Sequence, residues 1–131
     1  MQRRLRLGMV GGGQGAFIGA VHRIAARIDD QYELVAGALS SDPQRARDSG
    51  AALHLAPERC YSDYRAMAQA EAARADGIEA VAIVTPNHLH APVATAFMQA
   101  GIHVICDKPL GISLAEGQAL AALARQKNLL F

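Results

Sequence analysis

The chain has 131 residues, of which 51% are hydrophobic, and 13 Lys and Arg stand against 12 Asp and Glu. This length fits one domain and excludes an enzyme with separate cofactor and substrate domains. The formal charge of +1 gives no broad attraction to nucleic acid or an anionic membrane. No segment approaches the ~20 apolar residues of a membrane span, and the basic N-terminus lacks the apolar region of a signal peptide. The two cysteines form no disulfide framework, so we expect a soluble, cytoplasmic single domain.

Short apolar runs alternate with amphipathic segments along the chain. Leu5–Val10 predicts a buried strand, and apolar positions three and four apart predict a helix over Phe17–Ile28. The remaining predicted strands are Tyr32–Leu39, a brief one at Arg59–Tyr61, Ala80–Val84, Ile102–Cys106 and the start of one at Leu129–Phe131. The remaining predicted helices run from Pro43 to about Ser49 with Asp42 as cap, from Tyr64 to near Asp76 with Ser62 or Asp63 as cap, from Asn87, itself the cap, to Ala100, and to about Gln126 behind a capping box of Ser113 and Glu116.

A glycine-rich loop, GGGQGAFIG, joins the first strand to the first helix. Gly11, Gly13 and Ala16 satisfy the G-x-G-x-x-G/A pattern. Its first position permits a tight turn, its second lets the backbone approach a pyrophosphate, and its third lets helix and strand pack closely. The free N–H groups of the helix N-terminus favour phosphate. Since the pattern lies between a strand and a helix, it favours dinucleotide binding over a structural turn. No G-K-[ST] follows, which excludes a P-loop.

The alternation predicts fold class α/β. Apolar strands without alternating polarity are typical of a parallel sheet covered on both faces. Right-handed crossovers then give a doubly wound parallel sheet, the Rossmann fold. We find no internal repeat and no linker, so residues 1–131 are predicted to form one dinucleotide-binding domain.

The end of the second strand leaves NAD and NADP both open. An acidic residue there would bind the ribose 2′-hydroxyl of NAD. The sequence has Ser40, Ser41 and Asp42 at this point, and Asp42 serves equally well as a helix cap. Arg45 or Arg47 could neutralise a 2′-phosphate, or both could be solvated helix residues. NAD is slightly favoured because no Arg directly follows the strand.

Two later segments follow strands at their carboxyl ends, where ligands bind in open α/β sheets. TPNHLH occupies Thr85–His90, and CDKPL occupies Cys106–Leu110. Ordinary turn chemistry explains the Pro and Asn of these segments. It does not explain Lys108 between Asp107 and Pro109 at the mouth of a cofactor cleft.

The chain resembles the glucose–fructose oxidoreductase/inositol dehydrogenase/MocA (Gfo/Idh/MocA) family from about Arg4 to Phe131. The resemblance rests on four motifs in this order: the glycine loop, the ELVA strand (Glu33–Ala36), TPNHLH and DKP. Its members use NAD(H) or NADP(H) to oxidise or reduce sugars, inositols and related polyols. The resemblance implies an N-terminal Rossmann domain, here truncated near the start of its last strand. The C-terminal substrate domain, which also forms the homo-oligomer interface, would be absent.

The resemblance also implies roles for individual residues. Lys108 matches the Lys of the family's E-K-P signature and would reach nicotinamide and substrate, where a cation can polarise the substrate hydroxyl. Asp107 replaces the family's usual Glu. The family's catalytic His lies in the C-terminal domain, so this chain alone is expected to bind cofactor weakly without turnover. The residues implied to bind cofactor are Gly11, Gly13, Gly15, Ala16, Phe17, Ser40, Ser41, Thr85, Pro86, Asn87, His90, Asp107, Lys108 and Pro109.

Two alternatives compete with this expectation. Metal binding is not predicted, because His88 and His90 are two apart at a helix start and no acidic or Cys partner has suitable spacing. The second alternative is a free-standing nucleotide-binding or sensor module that acts through a partner. Leu129–Phe131 resembles a strand cut short, which favours the cofactor domain of a larger enzyme. Exposed apolar surface would then favour self-association.

Overall fold

A computed structural model describes residues 3–131, which fold around a parallel sheet. Its strand order is β2-β1-β3-β4, and each adjacent pair is parallel. The chain therefore builds outward from β1 in one direction and then returns to the other side, as in a doubly wound fold. The strands are Leu5–Gly11 (β1), Tyr32–Ala38 (β2), Ala80–Val84 (β3) and His103–Cys106 (β4), and the α-helices are Phe17–Ile28 (α1), Pro43–Ala52 (α2), Tyr64–Ala73 (α3), His90–Gln99 (α4) and Leu114–Lys127 (α5).

Apolar clusters cover both faces of the sheet, as the uninterrupted apolar strands predict. Successive strand residues point to opposite faces, so Met9 joins one cluster and Val10 the other. The larger cluster contains Phe97 and Met98 of α4, both fully buried. The smaller one packs against Ile18 of α1. This division confirms the predicted α/β class and leaves the carboxyl ends of the strands at one edge.

Three predicted helix caps are confirmed. Asp42 caps α2, Asp63 caps α3 and Ser113 caps α5, each accepting a hydrogen bond from a backbone N–H of the first turn. The Glu116 carboxylate accepts from the N–H of the residue before Ser113, at 2.8 Å, so the capping box is shifted by one residue. Within residues 3–131, α1 and α4 differ, because no side chain caps the N-terminus of either helix.

The brief strand predicted at Arg59–Tyr61 was wrong. Residues Pro57–Arg59 form a 3-10 turn, and Cys60 alone pairs with β2 through a single bridge to Gly37. Arg59 is buried there by its ion pair with Glu71, which holds the segment in a turn. The predicted cap at Asn87 was also wrong, because the chain enters the helix α4 through a 3-10 turn at Asn87–Leu89.

Three boundaries also differ from the prediction. The helix α2 continues to Ala52, because Gly50 packs so closely on Cys60 that tertiary contact outweighs the poor helix propensity of glycine. The helix α3 ends at Ala73, before the predicted Asp76. Residues 129–131 form no strand, yet the Val104 N–H donates to the carbonyl of residue 130 at 3.0 Å, so this segment lies beside β4.

None of the helices in residues 3–131 has the length and apolar character needed to span a membrane.

Candidate functional site

A cleft opens where the strands end, at the point where the sheet order reverses between β1 and β3. It consists of adjoining cavities of about 340 and 710 Å³ that share Gly11, Ser40, Thr85 and Pro86 in their walls. The smaller cavity lies against the glycine loop, and the larger one extends toward Tyr64 of α3. This is the position at which open α/β sheets bind ligands.

Gly13 is held against the end of β2. Its N–H donates to the Leu39 carbonyl at 3.1 Å, and a Cβ at this position would lie only 2.7 Å from that oxygen. Any larger residue would therefore displace the loop. The close approach predicted for this glycine is directed at β2, and it shapes the wall of the smaller cavity.

A second close approach connects the loop with α1. Gly19 is buried, and a Cβ on it would lie 2.6 Å from the Gly12 Cα. Ala16 was predicted to permit this contact, but it is exposed at the start of α1. Gly19 permits the close contact between helix and loop instead of Ala16. The loop is longer than the motif requires, so α1 contacts it one turn later.

Several N–H groups of the loop already have partners. Those of Gly13 and Ala16 donate to carbonyl oxygens, and that of Gln14 donates to the Ser49 hydroxyl at 3.1 Å. These bonds fix the shape of the loop. The first-turn N–H groups of α1 have no partner inside the helix, as at every helix start, and no side chain of the described residues caps them. Gly15 and Ala16, which directly precede this first turn, line the smaller cavity.

Ser49 and Gln14 line the smaller cavity but were not predicted as site residues. Ser49 and Arg45 lie four residues apart, on one face of α2, and both line the smaller cavity. Ser49 is 3% exposed although it is polar, because its hydroxyl accepts the loop N–H. The one signal in the sequence is that Ser49 lies four residues after Arg45 in a helix that Asp42 caps. Residues at this spacing lie on the same face of a helix.

The end of β2 presents hydroxyls to the cleft. Ser40 lines both cavities and Ser41 lines the larger one. The Asp42 carboxylate accepts the Arg45 N–H at 2.8 Å as the cap of α2, so this oxygen is engaged in capping. Arg45 is the charged residue that lines the smaller cavity.

TPNHLH divides between the cleft and the interior. Thr85 and Pro86 line both cavities, whereas Asn87 is exposed outside their walls. The Thr85 Oγ1 atom is buried and has no hydrogen-bond partner anywhere in residues 3–131. An unpartnered buried hydroxyl is costly, so its presence beside a cavity suggests that a ligand supplies the partner.

His90 does not take the position expected for it. The ring is 1% exposed, with Nδ1 lying 2.6 Å from the Pro109 carbonyl oxygen and Nε2 lying 3.0 Å from that of Thr85. Both nitrogens therefore face the backbone instead of the cleft, in contrast to the expected cofactor contact. The physical reason is that α4 begins at His90 and directs its first side chain under the strand-end loops.

The DKP segment lies just beyond the two cavities. The Asp107 carboxylate accepts from His22 of α1, with 2.9 Å between Oδ1 and Nε2, and Lys108 is exposed. The neighbouring Cys106 thiol has a pKa of about 11, raised by burial and then by the Asp107 charge. This thiol stays protonated at neutral pH and is a packing residue.

The structure brings together about half of the implied site. Phe17 is 82% exposed and belongs to an outer stripe of α1, defined by exposed Phe17, Val21, Ile24 and Ile28. The residues of the implied site that line the smaller cavity are Gly11, Gly13, Gly15, Ala16, Ser40, Thr85 and Pro86, and Ser41 lines the larger cavity. Those that line neither cavity are Phe17, Asn87, His90, Asp107, Lys108 and Pro109. The described part of the chain contains no group of three His, Cys, Asp or Glu that could hold a metal ion.

A family model described as "oxidoreductase family, NAD-binding Rossmann fold" (Gfo/Idh/MocA) matches residues 5–131. The chain belongs to this family. A solved oxidoreductase from Sinorhizobium meliloti is 60% identical, with a TM-score of 0.93 over 99% of this chain and 36% of that one. An inositol dehydrogenase homolog from Azotobacter vinelandii, solved with NAD+, is 44% identical, with a TM-score of 0.95 over 98% of this chain and 33% of that one.

Among curated relatives, the uncharacterized oxidoreductase YfiI of Bacillus subtilis (strain 168) is 46% identical over 98% of this chain and 33% of its own length. The chain thus spans about a third of the length of the relatives that it matches.

The cleft of this Gfo/Idh/MocA domain is compatible with a dinucleotide on two grounds. The N-terminus of α1 is uncapped at Ala16, which lines the smaller cavity, and the Thr85 hydroxyl has no partner among the described residues.

Proposed function

We propose that this domain binds NAD(H), or NADP(H), for an oxidoreductase that transfers hydride to or from a carbon of a sugar, inositol or related polyol. The observation that carries the proposal is the uncapped N-terminus of α1 in the wall of a cleft at the switch point of the sheet. The polyol class rests on the inositol dehydrogenase homolog. Because the chain covers 33% of that protein, the hydride transfer is proposed for a longer protein that contains this domain.

The pyrophosphate would be bound by Gly15 and the first turn of α1. The N–H groups of Gly13, Gln14 and Ala16 are engaged in holding the loop, so they shape the site and do not serve as its donors. The helix dipole adds roughly half a positive charge at this point, which favours the phosphates. No acidic residue occurs in the first turn of α1 to oppose them.

The adenosine ribose would lie near Ser40 and Ser41. We favour NAD, in line with the NAD+ bound by the Azotobacter vinelandii homolog. Arg45 lines the smaller cavity and is the residue through which a 2′-phosphate would be accommodated.

Lys108 would act at the nicotinamide end, in the longer protein. The bound nicotinamide supplies or accepts the hydride. The Lys108 ammonium would donate a hydrogen bond to the substrate hydroxyl oxygen. It would thereby stabilise negative charge on that oxygen as the O–H proton passes to the histidine that the family resemblance implies in the longer protein. Its exposed position beside the strand ends leaves it accessible to a substrate.

Calorimetric titration with NAD, NADP and ADP-ribose tests the proposal. We expect saturable binding of NAD and ADP-ribose, and weaker binding of NADP. Failure of all three ligands to bind would overturn the proposed function.

The variants Ala16→Asp and Ala16→Ser give a matched comparison. Ala16 has extended backbone angles, φ −88° and ψ 130°, that suit an N-cap residue. Both substitutions cap α1, so both should preserve or raise its stability. The Asp carboxylate also opposes the phosphates, so we expect A16D to lose NAD binding and A16S to retain most of it. Equal binding by the two variants would contradict phosphate binding at α1.

A further inference from the structure

Two histidines hold the segment around Lys108 from opposite sides. His90 of α4 lies against the carbonyl of Pro109, on the C-terminal side of Lys108, at 2.6 Å. His22 of α1 lies against the carboxylate of Asp107, on the N-terminal side, at 2.9 Å. Neither ring lines the two cavities of the cleft.

The chemistry at His90 favours a structural link between two loops. Its partners are carbonyl oxygens, which only accept hydrogen bonds, so each bond requires an N–H from the ring. The ring lies between these two oxygens and so connects the segment after β4, at Pro109, with the segment after β3, at Thr85. At 1% exposure, water cannot replace these bonds.

Lys108 itself is exposed, so its position depends on the backbone that carries it. That backbone is fixed at Asp107, whose N–H donates to the Ile83 carbonyl at 3.3 Å and whose carboxylate meets His22. It is fixed again at Pro109 by His90. The ammonium group therefore extends from a segment that is anchored at both neighbours.

We propose that His90 is a positioning residue that sets the location of the Lys108 ammonium relative to the nicotinamide end of the cofactor, with His22 as the second anchor. This inference rests on the proposed function. It reassigns His90 from a direct cofactor contact to a residue that acts through Lys108. A buried ring with two carbonyl partners suits that role, because it restricts both loops at once.

A double-mutant cycle on NADH affinity tests the inference. The chain contains no Trp, so the fluorescence of bound NADH is read without an indole background. Lys108→Met and His90→Gln should each weaken NADH binding roughly tenfold, the factor that corresponds to one hydrogen bond of a buried or charged group. Their double variant should bind no more weakly than either single variant. ADP-ribose, which lacks nicotinamide, should bind equally to all of them.

His22→Gln provides a second variant, since His22 is partly exposed and its replacement leaves no buried ring position unfilled. It should behave as His90→Gln does, to a smaller extent. The exposed His54→Asn is the matched control and should leave both ligands unaffected.

The outcomes separate the inference from the proposed function. Additive losses in the double variant, or equal losses for ADP-ribose, would overturn the positioning role while leaving the cofactor site intact. Absence of NADH and ADP-ribose binding in the unmodified chain would overturn the proposed function and, with it, this inference.

Discussion

Replacing Glu71 by Gln should destabilise the fold strongly. The carboxylate is fully buried and accepts hydrogen bonds from Arg59 at 3.1 and 2.5 Å, from the Tyr61 hydroxyl at 2.9 Å and from the Ile78 N–H at 3.2 Å. A Gln side chain keeps the volume and one acceptor oxygen. It leaves the Arg59 charge, at 7% exposure, with only the exposed Asp76 carboxylate at 3.8 Å as an ionic partner. Removing one partner of a buried ion pair costs about 3–5 kcal/mol.

We expect a value near the lower limit, about 3 kcal/mol, because Gln retains part of the hydrogen bonding. That is a substantial part of the 5–15 kcal/mol that stabilises a typical domain. For a chain of this length it corresponds to a fall in Tm of roughly 10 °C. Urea unfolding followed by circular dichroism measures the loss.

Glu58→Gln is the matched control, since Glu58 is exposed in the same 3-10 turn that carries Arg59. It should change the free energy of unfolding by less than about 0.5 kcal/mol. Burial and Glu71 together raise the pKa of Tyr61 to about 12, so Glu71→Gln should also lower that pKa, as read from tyrosinate absorbance. Equal stability of the two variants would refute the reasoning.

Four further outcomes are expected. Thr85→Val should raise the free energy of unfolding by about 1 kcal/mol, because it removes a buried hydroxyl that has no partner among the described residues. The control Thr95→Val should not raise it. A loss of stability of Thr85→Val in urea unfolding would contradict this expectation. Hydrogen bonds from an arginine side chain and a backbone N–H hold the pKa of Glu79 at about 2, below its usual 4.5. Its stabilising contribution is therefore present above pH 4.5 and lost as the pH falls toward 2, so the stability difference between Glu79→Gln and the unmodified chain should narrow over that range. Cys106 should react with iodoacetamide far more slowly than a free cysteine at neutral pH, as followed by mass spectrometry; rapid labelling would show an accessible thiolate. The outer stripe of α1 should cause self-association at high concentration, which Ile24→Ser reduces in light scattering; a monomer at all concentrations would count against it.

The local features of the fold were predictable from the sequence. Ala80–Val84 is apolar between turn signals, and the structure places β3 at those residues. Asp42 and Ser113 cap their helices through bonds to N–H groups three residues away, so their chemistry is contained in a short segment. The composition of the glycine loop likewise predicts a turn between β1 and α1.

The features that the sequence did not predict depend on contacts between distant segments. The Ser49 hydroxyl meets the Gln14 N–H across 35 positions, and His22 meets Asp107 across 85. Such pairs follow from the way in which strands and helices pack, which periodicity does not encode. For the same reason His90 was expected in the cleft: its motif is local, but its partners lie on two loops.

The helix α1 connects the two ends of the proposed site. Its N-terminus lies in the wall of the smaller cavity, and its next turn carries adjacent anchors for two loops. Arg23 donates to the Gly12 carbonyl at 2.8 Å, and His22 binds Asp107 beside Lys108. Since these residues share one rigid helix, a shift of α1 would move the phosphate donors and the support of Lys108 together. Covalent bonds of the cofactor limit the separation between its pyrophosphate and its nicotinamide. One rigid helix that supports the protein contacts to both groups holds those contacts at a constant separation, which two independent loops would not do.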